Sequence, residues 1–115
     1  MKKTKMLKKN YEFGNVLKRG TYYSGRTIEV FVKQNHKNIN FLGIAISSKI
    51  CKATKRNYIK RIIRENYKNM EEHLKTGYSI VFLWKRKIDI KQACYSNVEK
   101  DMKKIFCDAK IFLED

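Results

Sequence analysis

The feature that most narrows the possible folds is a helical repeat running from Lys52 to about Leu74. With Ile59 set at zero on a wheel turning about 100° per residue, Ile62, Ile63, Tyr67, Met70 and Leu74 cluster on its side, while Asn57, Lys60, Arg61, Arg64 and Lys68 gather opposite. The apolar stripe needs a layer to pack on, so the helix belongs to a folded domain. Six of the thirteen residues from Lys52 to Arg64 are Lys or Arg and none is acidic. A solvated helix face ordinarily mixes the two signs at four-residue spacing, yet Glu65 is the first acid after Glu29. This face therefore points to a polyanion. Lys60, Arg64 and Lys68 stand one turn apart, about 5.4 Å each, a spacing suited to successive phosphates, with Asn57 and Arg61 alongside. Arg supplies paired hydrogen bonds to phosphate oxygens, and Lys acts as a point charge.

The remaining elements follow from periodicity and punctuation. A first helix is expected from Asn10, read as its cap, through Phe13, Val16 and Leu17 to a stop near Gly20. Residues 26–33 alternate with the period of two of a half-buried strand, residues 34–38 form a polar turn, and a hairpin partner is expected from Ile39 to Ser47 with Leu42, Ile44 and Ile46 on one face. The basic helix should span about Thr54 to Lys75 and end at Gly77. Tyr78–Trp84 is strongly β-prone and suits a buried sheet position, closed by Lys85-Arg-Lys87. A last helix is expected from about Ile90 to Phe112, with Ala93, Val98, Met102, Ile105, Phe106 and Ala109 at helical intervals. The order is αββαβα, a single α+β domain over residues 1–115 with a small central sheet packed by helices. Residues 1–9 are expected to be a flexible basic start.

Charge narrows the partner class. The formal charge of +16 exceeds what solubility requires and draws a protein towards polyanions through counterion release. Residues 1–64 hold 17 Lys and Arg against Glu12 and Glu29, whereas residues 65–115 hold ten basic and nine acidic side chains. The first half should carry the binding surface and the second half act mainly as support. With 43% hydrophobic residues in 115 positions, the chain should bury roughly two thirds of its unfolded surface and fold alone. Cys51, Cys94 and Cys107 show neither CxxC spacing nor an even count, so reduced thiols in a cytoplasmic protein are expected, without a metal site. The Lys-rich start is followed by Asn10-Tyr-Glu-Phe-Gly-Asn where a signal peptide needs an apolar run, and no segment approaches the ~18 apolar residues that span a bilayer. No membrane role is expected.

Arg56 is out of place on the wheel, falling on the apolar side at the first turn. It should project past the helix end, over the sheet edge, towards Ser47, Ser48 and Lys49, with Phe13 and Phe31 as stacking surfaces for unpaired bases. That describes a second basic surface. The alternative for both phenylalanines is an ordinary core position.

Residues 55–64, Lys-Arg-Asn-Tyr-Ile-Lys-Arg-Ile-Ile-Arg, resemble the RNR helix of the bacterial ribonuclease P protein component. Leu7-Lys-Lys-Asn-Tyr-Glu-Phe13 with Lys18-Arg-Gly20 resembles that family's opening helix, and Gly43-Ile-Ala-Ile-Ser-Ser-Lys49 its glycine-led strand. The three blocks occur in the family's order and at fitting spacing, and the resemblance extends over essentially the whole chain. The resemblance implies a left-handed βαβ crossover, an exception to the right-handed rule, in the fold type of ribosomal protein S5 domain 2. It also implies removal of the 5′ leader of precursor tRNA together with a catalytic RNA. Arg56, Asn57, Lys60, Arg61, Arg64 and Lys68 would grip that RNA. Phe13, Leu17, Phe31, Ser47, Lys49 and Arg56 would line the cleft for the leader. Tyr58 stands where the family motif commonly has its second arginine, and Leu17 where an aromatic residue often extends the cleft.

The partners implied are the ribonuclease P RNA and precursor tRNA, with the protein monomeric in isolation and present in one or more copies per holoenzyme. The chain carries no carboxylate cluster for two metal ions, no paired histidines and no activated nucleophile. The protein alone is expected to be inactive, with no catalytic residue of its own, and the resemblance assigns Mg²⁺ mainly to the RNA subunit. The alternative is a basic ribosomal or other structural RNA-binding protein, which would need a long basic tail or a ribosomal signature. A DNA-binding helix-turn-helix does not suit three β-prone runs, and a stand-alone nuclease lacks metal ligands.

Overall fold

The computed structural model describes residues 1–113. Five strands form one sheet: β1 (Thr4–Met6), β2 (Thr21–Ser24), β3 (Ile28–Gln34), β4 (Asn40–Ala45) and β5 (Tyr78–Trp84). Three helices accompany them: α1 (Asn10–Arg19), α2 (Ala53–Met70) and α3 (Tyr95–Asp108), with short 3₁₀ turns at Glu71–His73 and Ile90–Gln92. The strand order is β1-β4-β5-β3-β2, with β1, β4 and β5 parallel and β3 antiparallel to both β5 and β2.

The pleat sorts side chains into two layers. Ile28, Val30 and Val32 of β3, Leu42 and Ile44 of β4, and Ile80, Phe82 and Trp84 of β5 are buried in one large core with α2 and α3. All six residues of the α2 stripe, Ile59 to Leu74, lie in that core. Tyr67 of α2 and Phe106 of α3 meet edge to face, ring centroids 6.3 Å apart. On the other side of the sheet α1 covers a smaller cluster of Leu7, Val16 and Val81, flanked by Phe13, Phe31, Phe41 and Leu83. β5 is apolar on both faces and so takes the central position.

That placement corrects the expected hairpin: β3 and β4 are not neighbours, because β5 lies between them. The connection between β3 and β4 instead passes the start of β5, where Asn35 N donates to Gly77 O at 2.8 Å and Tyr78 N to Asn40 Oδ1 at 2.9 Å. Gly77 is required there: its φ is +101°, and a Cβ would lie 3.1 Å from the Lys37 carbonyl oxygen. The parallel partner β4 reaches β5 through α2, as a parallel pair needs a crossover.

Two strands were absent from the expected order. The hairpin partner of β3 is β2, from Thr21↔Val32 to Ser24↔Glu29. The expected flexible start is corrected at Thr4–Met6, which pair in parallel with β4; Thr4 Oγ1 lies 2.7 Å from Tyr67 Oη, and Lys2 N donates to Glu71 Oε1 at 3.1 Å. Helix boundaries also differ. Asn10 is the first helical residue rather than the cap, and the Glu12 carboxylate reaches back to accept from Lys9 N at 2.9 Å. The α-helical part of α2 stops at Met70, and α3 starts at Tyr95, preceded by a 3₁₀ turn capped by Asp89.

Candidate nucleic-acid interface

Burial of the Ile59–Leu74 stripe fixes the rotation of α2. Asn66 locks it further: its Nδ2 donates to Ile62 O at 3.1 Å and to Tyr95 O, at the start of α3, at 3.3 Å. The opposite face is thereby held outward, with Asn57, Arg61, Arg64 and Lys68 exposed and Lys60 half-buried. Thr54, Asn57, Tyr58, Lys60, Arg61 and Arg64 line a recess of about 370 Å³ that contains no acidic side chain. Among the described residues the one ion pair joins Lys103 to Glu99 on α3 at 3.7 Å. The α2 cations are thus uncompensated by internal carboxylates, and their field is directed to solvent.

The segment joining β4 to α2 is ordered by its own backbone. Ser47 Oγ accepts from Lys49 N at 3.2 Å, and Ser47 O from Ile50 N at 3.1 Å. Arg56 reaches back past the first turn, as its wheel position predicts. Its Nη1 donates to the carbonyl of Cys51 at 2.7 Å, not to Ser47, Ser48 or Lys49. The guanidinium is half-buried and fastens this connection to the helix, while Ser47 and Lys49 stay exposed.

The sheet face under α1 carries the aromatic residues. Phe13 packs over Gly43: a Cβ added there would lie 2.6 Å from Phe13 Cε1 and 3.0 Å from Leu7 Cδ1. The glycine of β4 therefore makes the seat for this ring. Phe31 is flanked in register by Val81 of β5 and Tyr22 of β2, and the Tyr22 and Phe31 rings lie 5.2 Å apart at 58°. Phe13 and Phe31 are half-buried, each partly core and partly surface, and Leu17, one turn beyond Phe13, is 38% exposed. Phe13, Phe31 and Leu83 thus share one cluster, with Leu17 on its outer side; Ser47 and Lys49 follow the end of β4, whose Ala45 pairs with Leu83.

Tyr22, beside Phe31, is the exposed aromatic residue of this face that sequence reasoning missed. Its signal was the β-prone Thr-Tyr-Tyr-Ser between Gly20 and Gly25. It is 47% exposed, and its hydroxyl donates to Glu29 Oε2 at 2.5 Å, a bond that raises the phenol above its ordinary pKa.

No three His, Cys, Asp or Glu side chains among the described residues come together as a metal-holding group. The three cysteines are free thiols, and no described helix is long and apolar enough to cross a membrane. A cation-faced helix and a half-buried aromatic cluster on one small α+β domain mark an RNA-binding protein.

Comparison with known proteins narrows that class. The family model for ribonuclease P matches residues 1–110. The ribonuclease P protein component of Clostridium botulinum strain Loch Maree is 35% identical over 113 residues, covering 97% of this chain and 99% of that one. That of strain Langeland is 43% identical over 84 residues, 72% of this chain and 75% of its own. The solved RNase P protein of Staphylococcus aureus superposes with a TM-score of 0.79 at 30% identity, covering 94% and 97% of the two chains. The chain belongs to the ribonuclease P protein family, the protein component of the endoribonuclease that processes the 5′ ends of tRNA.

Proposed function

We propose that the protein grips the catalytic RNA with the outer face of α2 and holds the single-stranded 5′ leader of precursor tRNA in the cleft under α1. Asn57, Lys60, Arg61, Arg64 and Lys68 contact phosphates of the catalytic RNA. Phe13, Phe31 and Leu17 pack against leader nucleotides, with Lys49 and Ser47 on the leader backbone. Arg56 positions the connection between the two surfaces through the Cys51 carbonyl and keeps its remaining donors for phosphate. Cleavage chemistry and its Mg²⁺ belong to the RNA subunit; the protein raises substrate affinity and relieves repulsion between two polyanions. It is a monomer when isolated, joins the holoenzyme in one or more copies, and works in the cytoplasm.

The observation that carries this reading is the row of α2 cations that no carboxylate among the described residues pairs with. Cleavage of a 5′-extended precursor tRNA at low Mg²⁺ tests it, with protein, bacterial catalytic RNA, both, and neither. Cleavage at the mature 5′ end should need the RNA and rise sharply with the protein. An RNA activity unchanged by the protein would favour a ribosomal or other structural RNA-binding role instead.

A further inference from the structure

Tyr58 is a neutral aromatic side chain, 42% exposed, set among cations on the first turns of α2. It lines the cation-lined recess on one side and, on the other, an adjoining notch of about 350 Å³ formed by Lys55, Ile59, Asp89, Ile90 and Lys91. The Arg61 guanidinium lies over its ring, 5.8 Å from the centroid, and restrains the ring as a plate. We infer that this notch takes one unpaired nucleobase of the catalytic RNA, stacked on Tyr58. The inference rests on the assignment of the α2 face to that RNA.

Physical chemistry selects the occupant. Tyr58, Ile59 and Ile90 give the notch a largely apolar wall that suits a flat apolar face, with Lys55, Lys91 and Asp89 completing its lining. The volume falls at the low end of the roughly 300–1,000 Å³ typical of small-ligand clefts, too little for a duplex. The rim is basic, with Lys55 and Lys91 on the notch and Lys60 and Arg61 beside it, so phosphates flanking an inserted base meet positive charge. The acid present, Asp89, is turned to the backbone: its Oδ1 accepts from Lys91 N at 2.9 Å, capping the 3₁₀ turn at Ile90–Gln92. Stacking of unpaired bases on aromatic rings is a general mode of RNA recognition.

The test is binding of intact bacterial ribonuclease P RNA by wild type, Y58F, Y58L and Y58R across a range of KCl, with chemical footprinting of the RNA. Y58F should bind as wild type. Y58L should bind about tenfold more weakly at every salt concentration with the salt slope unchanged, and one unpaired nucleotide protected by wild type and Y58F should become reactive. Y58R should steepen the salt slope by about 0.7 to 0.9 and leave that nucleotide reactive. A Y58L protein with wild-type affinity and footprint overturns the inference while leaving the α2 assignment intact. A Y58F protein as weak as Y58L overturns it too, since the hydroxyl would then be the contact. Wild-type protein that fails to bind the RNA overturns the α2 assignment, and the notch with it.

Discussion

Arg64→Ala isolates the proposed phosphate contact from folding. Arg64 lies in the outer row of α2, one turn from Lys60 and one from Lys68, exposed and with no carboxylate partner among the described residues. Truncating it breaks no internal ion pair and leaves no buried group unsatisfied, and alanine is at least as good a helix former as arginine. Thermal unfolding should therefore be unchanged. Binding should not be. Removing one phosphate contact reduces the slope of log K against log salt by about 0.7 to 0.9, which at physiological salt amounts to roughly 1 kcal/mol of counterion release. A charge-assisted hydrogen bond is worth about 1.5 to 3 kcal/mol net, and the two contributions overlap, so the expected loss is about 1 to 3 kcal/mol. Fluorescence anisotropy on labelled catalytic RNA from low to moderate KCl measures affinity and slope together. Lys104→Ala, removing an exposed cation of α3, is the control and should leave the slope nearly unchanged. Equal affinity and equal slope for Arg64→Ala and wild type would remove Arg64 from the interface.

Three further outcomes are expected. Phe13→Leu and Phe31→Leu should weaken the holoenzyme's affinity for leader-bearing precursor about fivefold or more while leaving affinity for catalytic RNA unchanged, measured by paired titrations with precursor and mature tRNA. Asp101 accepts from Arg26 N, Thr27 N and Thr27 Oγ1, and Thr27 is buried; Asp101→Ala should thus lower stability by about 2 to 4 kcal/mol, read as a fall in the urea midpoint at constant m. Burial raises the pKa of Tyr67 above 10, outweighing its hydrogen bonds to Thr4 and Asn40. Its contribution to stability should be complete below about pH 10 and lost as pH rises through the raised value, so Tyr67→Phe should flatten the alkaline fall in the urea midpoint relative to wild type.

The long, strongly periodic elements were legible. α2 announced both its faces because six apolar and five polar positions sort to opposite sides over several turns, with Arg56 and the buried Asn66 as the exceptions, and Tyr78–Trp84 is strand throughout its expected span. Neighbours in the sheet were not legible. Alternation in β3 and β4 tells which side chains face which layer, not which strand lies beside which, and that choice was made by β5 being apolar on both faces. β1 is three residues whose order comes from β4, Tyr67 and Glu71, all distant in sequence. In the site, the outward position of the cations could be read from the wheel, whereas the bond from Arg56 to Cys51 and the tilted contact of Tyr22 with Phe31 depend on loop and strand geometry.

The charge asymmetry between the halves has a structural counterpart, though a less simple one than support and surface. Each surface of the basic half is positioned by the other half. α3 sets the rotation of α2 through Phe106 and through the carbonyl of Tyr95, Val81 and Leu83 of β5 belong to the cluster beneath α1, and Asp101 holds the turn that leads from β2 into β3. Yet the near-neutral sum of residues 65–115 hides a local concentration of cations. Lys85, Arg86 and Lys87 follow β5 in a turn closed by the Trp84 indole N–H on Ile88 O at 2.9 Å, and they share a recess of about 460 Å³ with Tyr22 and Glu29 at the sheet end. The acids of this half lie mostly on or near α2 and α3, where Glu99 pairs with Lys103 and Glu71 anchors the backbone at Lys2. Net charge per half therefore understates the cations gathered at the end of β5, because part of the acid that offsets them in the sum is bonded elsewhere: Glu71 to Lys2 N, Glu99 to Lys103, and Asp101 to Arg26 N and Thr27.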